Sequence, residues 1–534
     1  MRTRPASTVA LGGRWDVDMA RSLADAPAPD AATTPARPDG PASPERPWPV
    51  RPRTVAVLAT VLAGALSLFH LGHKSFWLDE GYSIGHARMP WSEFWTVLTQ
   101  REPNGALHAL VLFPWIRVSD AEWWLRLPSA LALTASVPVL YLLGRRLFGE
   151  RVGATAALLL AVNGFALQFG QEVRAYALVM FVGTLSTLLF VAFVQDGRKG
   201  QWWAWVAVSI LLPWAHLFGW LVLGAQGTAA LLRGRSLRRP VAGLVAGFAL
   251  IGALGGIVLV LIATGESSGQ AEGIPGVTVV RFVGVYARVA GNAGIPLLAV
   301  FMALGAYVAW VYGRPLVTGR PYRPTEAEWG VLLLAAWLAL PTVAIALLSP
   351  VQPLFGARYF IILVPAAATL LALGIHTVPA GWARRCTAVV VGALVVAGAV
   401  GWYVRPPADD IRGVARTVAA DARTGDAIVF LPWFEQLPFD AYALRDARID
   451  DDVRPLWPDA RWGHFVPDHP DHPTKAEVDE AVTGTDRLWL VVRDDRGEDD
   501  QRDVDAYVER LTRDHVEVRH VDLDGVDVYL YERG

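Results

Sequence analysis

Residues 175–195 read AYALVMFVGTLSTLLFVAFVQ, a run without one charged side chain. About 20 mostly apolar residues, rising roughly 1.5 Å each as a helix, cross the hydrocarbon core of a bilayer, so this stretch predicts a membrane-spanning helix. Comparable runs lie near 54–72, 127–147, 152–169, 202–216, 217–232, 241–263, 294–312, 328–348, 359–377 and 386–404. Together they predict an α-helical polytopic membrane protein of about eleven spans. The runs at 202–216 and 217–232 are short and meet at His216, where a single deep hairpin is the alternative. Composition agrees: 53% of the 534 residues are apolar and 18% charged, against roughly 25% charged in an ordinary soluble domain. A net charge of −2 argues against nucleic acid as a partner, because phosphate backbones want a clustered basic surface.

The ends of the chain differ from its middle. Residues 1–53 are rich in Pro, Ala and Asp, contain no apolar run, and are expected to be a disordered cytoplasmic tail. No secretory signal is visible there, so the first span is expected to serve as the targeting signal as well. Residues 54–404 form the transmembrane domain, with a long loop over 73–126. Residues 405–534 carry many Asp and Arg and no apolar span. Strand-like Ala427–Leu431 and Leu488–Val492 alternate with helical 410–423 and 500–513. Asp524-Gly525, between Val516–Val521 and Val526–Tyr531, is a hairpin signal. A small C-terminal α/β domain is expected.

Orientation follows from Lys and Arg in short loops. One set of loops holds Arg145, Arg146, Arg151, Arg198, Lys199, Arg233, Arg235, Arg238, Arg239, Arg314, Arg320, Arg323, Arg384 and Arg385; the short loops of the other set hold only Arg174, Arg281, Arg288 and Arg358. The first set is read as cytoplasmic, which places loop 73–126 and the α/β domain outside, at a plasma membrane.

Polar groups gather at the outer helix ends. Phe76-Trp-Leu-Asp79-Glu80-Gly-Tyr82 follows the first span. A carboxylate there could take a proton from an acceptor hydroxyl or, with its neighbour, hold a divalent cation; equally, Asp79 could cap a helix. Glu172 and Arg174, in Gln171-Glu172-Val-Arg174-Ala-Tyr176, are suited to pair with each other. Arg358, before Tyr359, could fork a phosphate or snorkel to headgroups. His216 sits in an apolar turn. Within the outer loop, Trp91, Phe94, Trp95 and Leu98 recur at helical spacing after Pro90, as in a helix lying at the membrane interface. Other features are set aside. Cys386 reads as a small core residue, Gly252, Gly255 and Gly256 as span packing, and the prolines between His464, His469 and His472 deny them a helical ligand face.

As a whole the string resembles the GT-C membrane glycosyltransferases of the dolichyl-phosphate-mannose protein mannosyltransferase type. It is especially similar to the bacterial branch that holds the lipid A aminoarabinose transferase and the rhizobial galacturonosyltransferases. The matching residues are Leu78-Asp79-Glu80, Pro103-Asn104 leading to His108 and Trp115, and Arg126-Leu-Pro-Ser129. Tyr141 to Gly149, Gln171 to Tyr176, His216 and Arg358-Tyr359 complete them, and the likeness covers about 54–400. The resemblance implies an inverting transfer, on the extracytoplasmic face, from a sugar joined by phosphate to a polyprenyl lipid. The acceptor would be a glycan, lipid or protein. By analogy Asp79 would be the general base or would orient the acceptor, and Glu80 would assist it or help hold a cation. Arg174 and Arg358, with Tyr359, would meet the leaving phosphate, and His108, Glu172, Tyr176 and His216 are candidates for substrate binding. The family shows a fuller Pro-Pro-x-Tyr-Tyr run where this chain has Pro103-Asn104-Gly-Ala-Leu-His108. The competing class is a transporter or flippase, which predicts ionisable groups at span midplanes.

Overall fold

A computed structural model describes residues 50–534 except 234–240, 266–275, 318–323, 352–353, 458–461, 464–482, 495–503, 507 and 511–512. The expected tail up to residue 49 and the His464, His469 and His472 group lie outside the described residues.

Each of the eleven apolar runs is helical. Among the described residues, seven helices are long and apolar enough to cross a bilayer: Glu122–Phe148, Tyr176–Asp196, Val241–Thr264, Gly294–Gly313, Glu326–Leu348, Ala357–Thr377 and Trp382–Val404. A bent pair, Glu150–Ala161 with Gly164–Gly170, is long and apolar enough only when taken together and turns by 59°, as a broken span or a re-entrant loop does. The remaining runs form shorter helices, Pro52–Leu68, Lys199–Ala215 and Gly219–Arg233. The last two are separate helices joined at His216. Tyr176–Asp196 and Ala357–Thr377 are the most buried, at 78% and 83%, whereas Trp382–Val404 is only 28% buried and leaves most of its aliphatic surface for lipid. The lone cysteine, expected in a core, lies on that outer helix and is exposed.

The bend has an identifiable cause. A broken helix in hydrocarbon must satisfy its freed N–H groups internally. Asn163 does so: its Oδ1 accepts from the N–H of Phe165 and Ala166, both at 3.0 Å, capping the second helix. Its Nδ2 donates to the Val289 carbonyl at 3.3 Å. Gly164 lets the last helix close in, since a Cβ there would sit 2.3 Å from the Gly398 carbonyl oxygen. The bend delivers the turn 171–175 to the end of the bundle where loop 73–126 lies.

That loop is largely ordered into helices Leu78–Arg88, Trp91–Thr96 and Ala106–Trp115, with a π turn over Val97–Arg101. In the Trp-rich piece Phe94 and Leu98 are buried while Trp91 and Trp95 stay exposed, as an interfacial helix requires.

After Val404 the chain forms a five-stranded mixed sheet, with strands numbered in chain order: β1 (Asp426–Leu431), β2 (Val453–Trp457), β3 (Arg487–Arg493), β4 (His515–Leu523) and β5 (Val526–Arg533). Their spatial order is β2-β1-β3-β5-β4; β1 runs parallel to β2 and β3, and the Asp524-Gly525 hairpin joins antiparallel β4 and β5. The expected helix at 410–423 is Ile411–Asp421, and the described part of 500–513 is helical at 504–506 and 508–510.

The sheet does not stand apart. Its core residues Phe430 and Trp489, with Phe439 of helix Gln436–Ala443, share one apolar cluster with Phe76, Ile84 and Leu112 of the loop. Gly81 makes this possible, because a Cβ would lie 2.4 Å from the Pro438 nitrogen.

Candidate active site

The site is built outward from segment 72–76. Arg126, at the start of its span and almost wholly buried, donates from Nη1 to the carbonyls of Leu71 (3.1 Å) and Lys74 (2.9 Å) and from Nη2 to that of Ser75 (3.2 Å). From the other side Arg412 of the C-terminal region donates to the carbonyls of Gly72, His73 and Lys74, each at 2.9 Å. The Phe76 N–H donates to the Tyr442 hydroxyl at 2.9 Å. Two arginines from distant parts of the chain thus fix the backbone directly ahead of Asp79.

Glu80 completes that frame. Fully buried, it accepts from Arg126 Nε at 2.8 Å and Nη2 at 2.7 Å, and its Oε1 also accepts from the Val173 N–H at 2.8 Å. Such a bidentate pair is directional as well as strong. Three of the roughly four lone-pair sites of its carboxylate are thus occupied, two of them by one guanidinium. Its place is structural: it ties the turn 171–175 to the Asp79 helix.

Asp79 faces the other way. Trp77 is the N-cap of helix Leu78–Arg88, and Asp79 stands in its first turn without capping it. Its Oδ2 lies 2.5 Å from Arg358 Nη1 and 3.5 Å from Arg174 Nη2. Arg174 also donates from Nη1 to the Asp79 carbonyl (3.0 Å) and the Ser83 hydroxyl (3.1 Å), while its buried Nε has no hydrogen-bond partner. With Asp79 held by two guanidiniums and Glu80 spent on a third, the Asp79–Glu80 pair does not form the divalent-cation site that its composition admitted. Among the described residues no group of three or more His, Cys, Asp or Glu is placed to hold a metal.

An aromatic wall adjoins the arginines. Tyr176 and Tyr359 flank the His216 ring at centroid distances of 5.8 and 5.5 Å, and the Arg174 and Arg358 guanidiniums lie 5.5 and 5.7 Å from the rings of Tyr176 and Tyr359. Burial, with Arg174 and Arg358 adding their charge, holds the His216 imidazole down at about 3. Burial and then Arg174 do the same to His108, also to about 3. Both histidines are neutral hydrogen-bonding groups at any physiological pH. The divergent stretch at Pro103 fits here: Asn104 Oδ1 accepts from the Leu217 N–H at 2.9 Å, and Gly105, at φ +86°, approaches Ala175 and precedes the helix that carries His108.

Asp79, Arg174, Arg358, Tyr176, Tyr359 and His216 therefore come together, with His108 within reach of the Arg174 charge. Glu172 does not join them. Its Oε1 accepts from Gln168 Nε2 at 3.0 Å, no contact with the Arg174 side chain forms, and its Oε2 is buried without a partner. Burial, then the Glu80 charge, pushes its carboxyl up to about 8. The two residues, with Val173 between them, do not form the Glu172–Arg174 pair that is one reading of the sequence. Sequence reading had no means to single out Ser83 or Arg412; Arg126 was visible only as part of a motif.

A family model described as dolichyl-phosphate-mannose-protein mannosyltransferase matches residues 106–261, which include Arg126, Arg174, Tyr176 and His216 but neither Asp79 nor Arg358. Among solved structures, ArnT from Cupriavidus metallidurans in the apo state superposes with a TM-score of 0.58 at 13% identity, over 90% of this chain and 97% of that one. The same protein bound to undecaprenyl phosphate gives 0.56 at the same identity and coverage. The oligosaccharyltransferase AglB from Archaeoglobus fulgidus, in complex with an inhibitory peptide and a dolichol-phosphate, gives 0.50 at 12% identity over 90% and 74% of the two chains. No curated protein sequence matches the chain.

The family match covers less than a third of the chain, and the solved structures show that the whole fold is shared with ArnT.

Proposed function

We propose that the protein transfers a sugar from a polyprenyl-phosphate donor to an acceptor hydroxyl on the extracytoplasmic side, with inversion at the anomeric carbon. The observation that carries this is one carboxylate, Asp79, lying 2.5 and 3.5 Å from two arginines at the end of a helical bundle. The acceptor oxygen attacks the anomeric carbon from the face opposite the phosphate, and its proton passes to Asp79. The bond from that carbon to the phosphate oxygen breaks, and the electron pair leaves on the phosphate. Arg174 and Arg358 meet the charge that develops there.

Without substrate the arginines use Asp79 as their counter-ion. Arrival of the donor phosphate gives them a better-matched partner, because a planar guanidinium fork suits two phosphate oxygens. Asp79 is thereby released to accept a proton. Tyr176, Tyr359 and the neutral His216 and His108 would line the sugar and hydrogen-bond its hydroxyls. Glu80 positions Asp79 and does not touch substrate.

The outside placement rests on the excess of Lys and Arg in the opposite set of loops. The donor class is supported by the fold shared with ArnT, solved with undecaprenyl phosphate. Mannose is the first sugar to test, given the description of the matched family, with glycan, lipid and protein as the acceptor classes to compare. A transporter would place its ionisable groups at span midplanes, whereas these stand at helix ends.

The test is purified protein with short-chain polyprenyl-phosphate-mannose and envelope extract. The reading predicts stoichiometric release of polyprenyl phosphate and a product of inverted anomeric configuration. Retained configuration, or no turnover of any polyprenyl-phosphate sugar, would overturn it.

A further inference from the structure

A cavity that carries several charged side chains lies beside segment 70–77, bounded by the turn at 168–172 and by the chain just after the last span. Its volume is about 240 Å³, several times the roughly 30 Å³ share of one water. Asp79, Arg174, Arg358, Tyr176 and His216 take no part in its lining; it shares with the frame behind them segment 71–75, Glu80 and Arg126, the last two with their charges spent on each other, and Glu172. We propose that this cavity is a phosphate-binding site, separate from the Asp79 pocket, that takes the phosphate of an anionic amphiphile or free phosphate.

Charge is the first argument. Lys74 and Arg405 both line the cavity, and among the described residues neither makes a salt bridge to a carboxylate. Lys74 Nζ donates to the Trp402 carbonyl at 2.8 Å and lies 3.4 Å above the Trp402 ring, which leaves it donors to spare. Burial first, and Arg405 next, hold its amine down at about 8. Half-buried Lys74 and exposed Arg405 repel each other, a repulsion that Glu172 offsets only in part, so an anion between them is favoured.

Unspent donors are the second argument. The indole Nε1 of Trp77 is buried with no hydrogen-bond partner, as is Oε2 of Glu172, and both residues line the cavity. Each such group costs free energy unless something fills the site. With its carboxyl protonated at neutral pH, Glu172 offers a hydroxyl and does not repel an anion. Ammonium, guanidinium, indole N–H and carboxyl O–H together suit a tetrahedral oxyanion.

Position is the third. The cavity stands at the ends of helices Pro52–Leu68 and Trp382–Val404, whose Val57, Leu58, Val61, Val400 and Val404 are exposed along the bundle surface. A phosphate seated between Lys74 and Arg405 could therefore carry lipid chains down that surface.

The test uses delipidated full-length protein in detergent and native mass spectrometry. The probes are dioctanoyl phosphatidic acid, the uncharged dioctanoylglycerol and inorganic phosphate. Saturable binding of phosphatidic acid that weakens about tenfold in Lys74→Gln/Arg405→Gln, and returns in Lys74→Arg/Arg405→Lys, supports the site with a lipid as its occupant. Competition by inorganic phosphate with the same loss supports it with the free anion. Equal binding of the uncharged lipid, or binding unchanged in the Gln pair, overturns it; equal loss in Asp79→Asn overturns its separateness. Amine labelling of the wild type needs no variant. The probe should shield Lys74 and leave Lys199 unaffected, and equal labelling of Lys74 with and without it counts against the proposal.

Discussion

Replacing Arg126 with Met tests the frame on which Asp79 is mounted. Arg126 makes two contacts to Glu80, at 2.8 and 2.7 Å, and three to the carbonyls of Leu71, Lys74 and Ser75. Its side chain is 2% exposed and that of Glu80 0%. Removing one partner of a buried pair leaves an uncompensated charge and costs about 3–5 kcal/mol. Three carbonyls also lose a charged donor, each contact worth about 1.5–3 kcal/mol in isolation though not additively. Arg126→Met should therefore cost at least about 4 kcal/mol, a large share of the about 5–15 kcal/mol margin of an ordinary domain. Glu80→Leu/Arg126→Met removes both charges and should recover more than half of that loss, because the uncompensated carboxylate is gone. The assay is thermal unfolding in detergent read by size-exclusion fluorescence, with transfer activity in parallel. The double variant should be folded yet slow, since segment 72–76 has lost one of its two clamps. A single variant as stable as wild type, or a double variant with full activity, would refute the reasoning.

Further outcomes follow from the same geometry. Gly81→Ala puts a Cβ against the Pro438 backbone and should cost about 2 kcal/mol or more, read as faster hydrogen exchange in both 78–88 and 436–443; unchanged exchange in either segment would contradict the shared core. Arg358→Lys keeps the charge and loses the fork, so kcat/KM should fall about 10²-fold in a transfer assay, and a loss under threefold would remove the fork from the account. Glu172 holds an extra proton when folded, its value of about 8 standing above the 4.5 of the unfolded chain. Its contribution to stability is thus full below about 4.5 and lost as pH rises through about 8. Melting temperatures at about pH 5 and about pH 9 should differ less in Glu172→Gln than in wild type, and an unchanged difference would exclude this carboxyl as a source.

Much of the fold was legible because lipid imposes a simple rule: long uncharged runs become helices, and every one of the eleven runs did. The bend at Asn163 was not, since one polar residue inside an apolar run looks the same whether it caps a break or packs within a continuous helix. The first run extends to residue 72, whereas the helix ends at Leu68 and turns follow; the two runs meeting at His216 match their helices to within three residues. Of the site, Asp79, Arg174 and Arg358 were found as polar residues at helix ends, and their convergence is a property of the fold. Glu80 was misplaced because its partner Arg126 lies 46 positions away, and no local pattern distinguishes a carboxylate bound to a distant arginine from a free one. Glu172 and Arg174 stand two residues apart in a turn, where helical spacing rules do not apply.

Single-turnover transfer of labelled sugar from a polyprenyl-phosphate donor by Asp79→Asn, in protein shown to be folded, addresses the central claim most directly. Asparagine is isosteric but can neither take the acceptor proton nor counter the charges of Arg174 and Arg358, so the rate should drop by about 10²–10⁴-fold while donor binding persists. Transfer at the wild-type rate would show that the carboxylate between the two arginines is not part of the reaction.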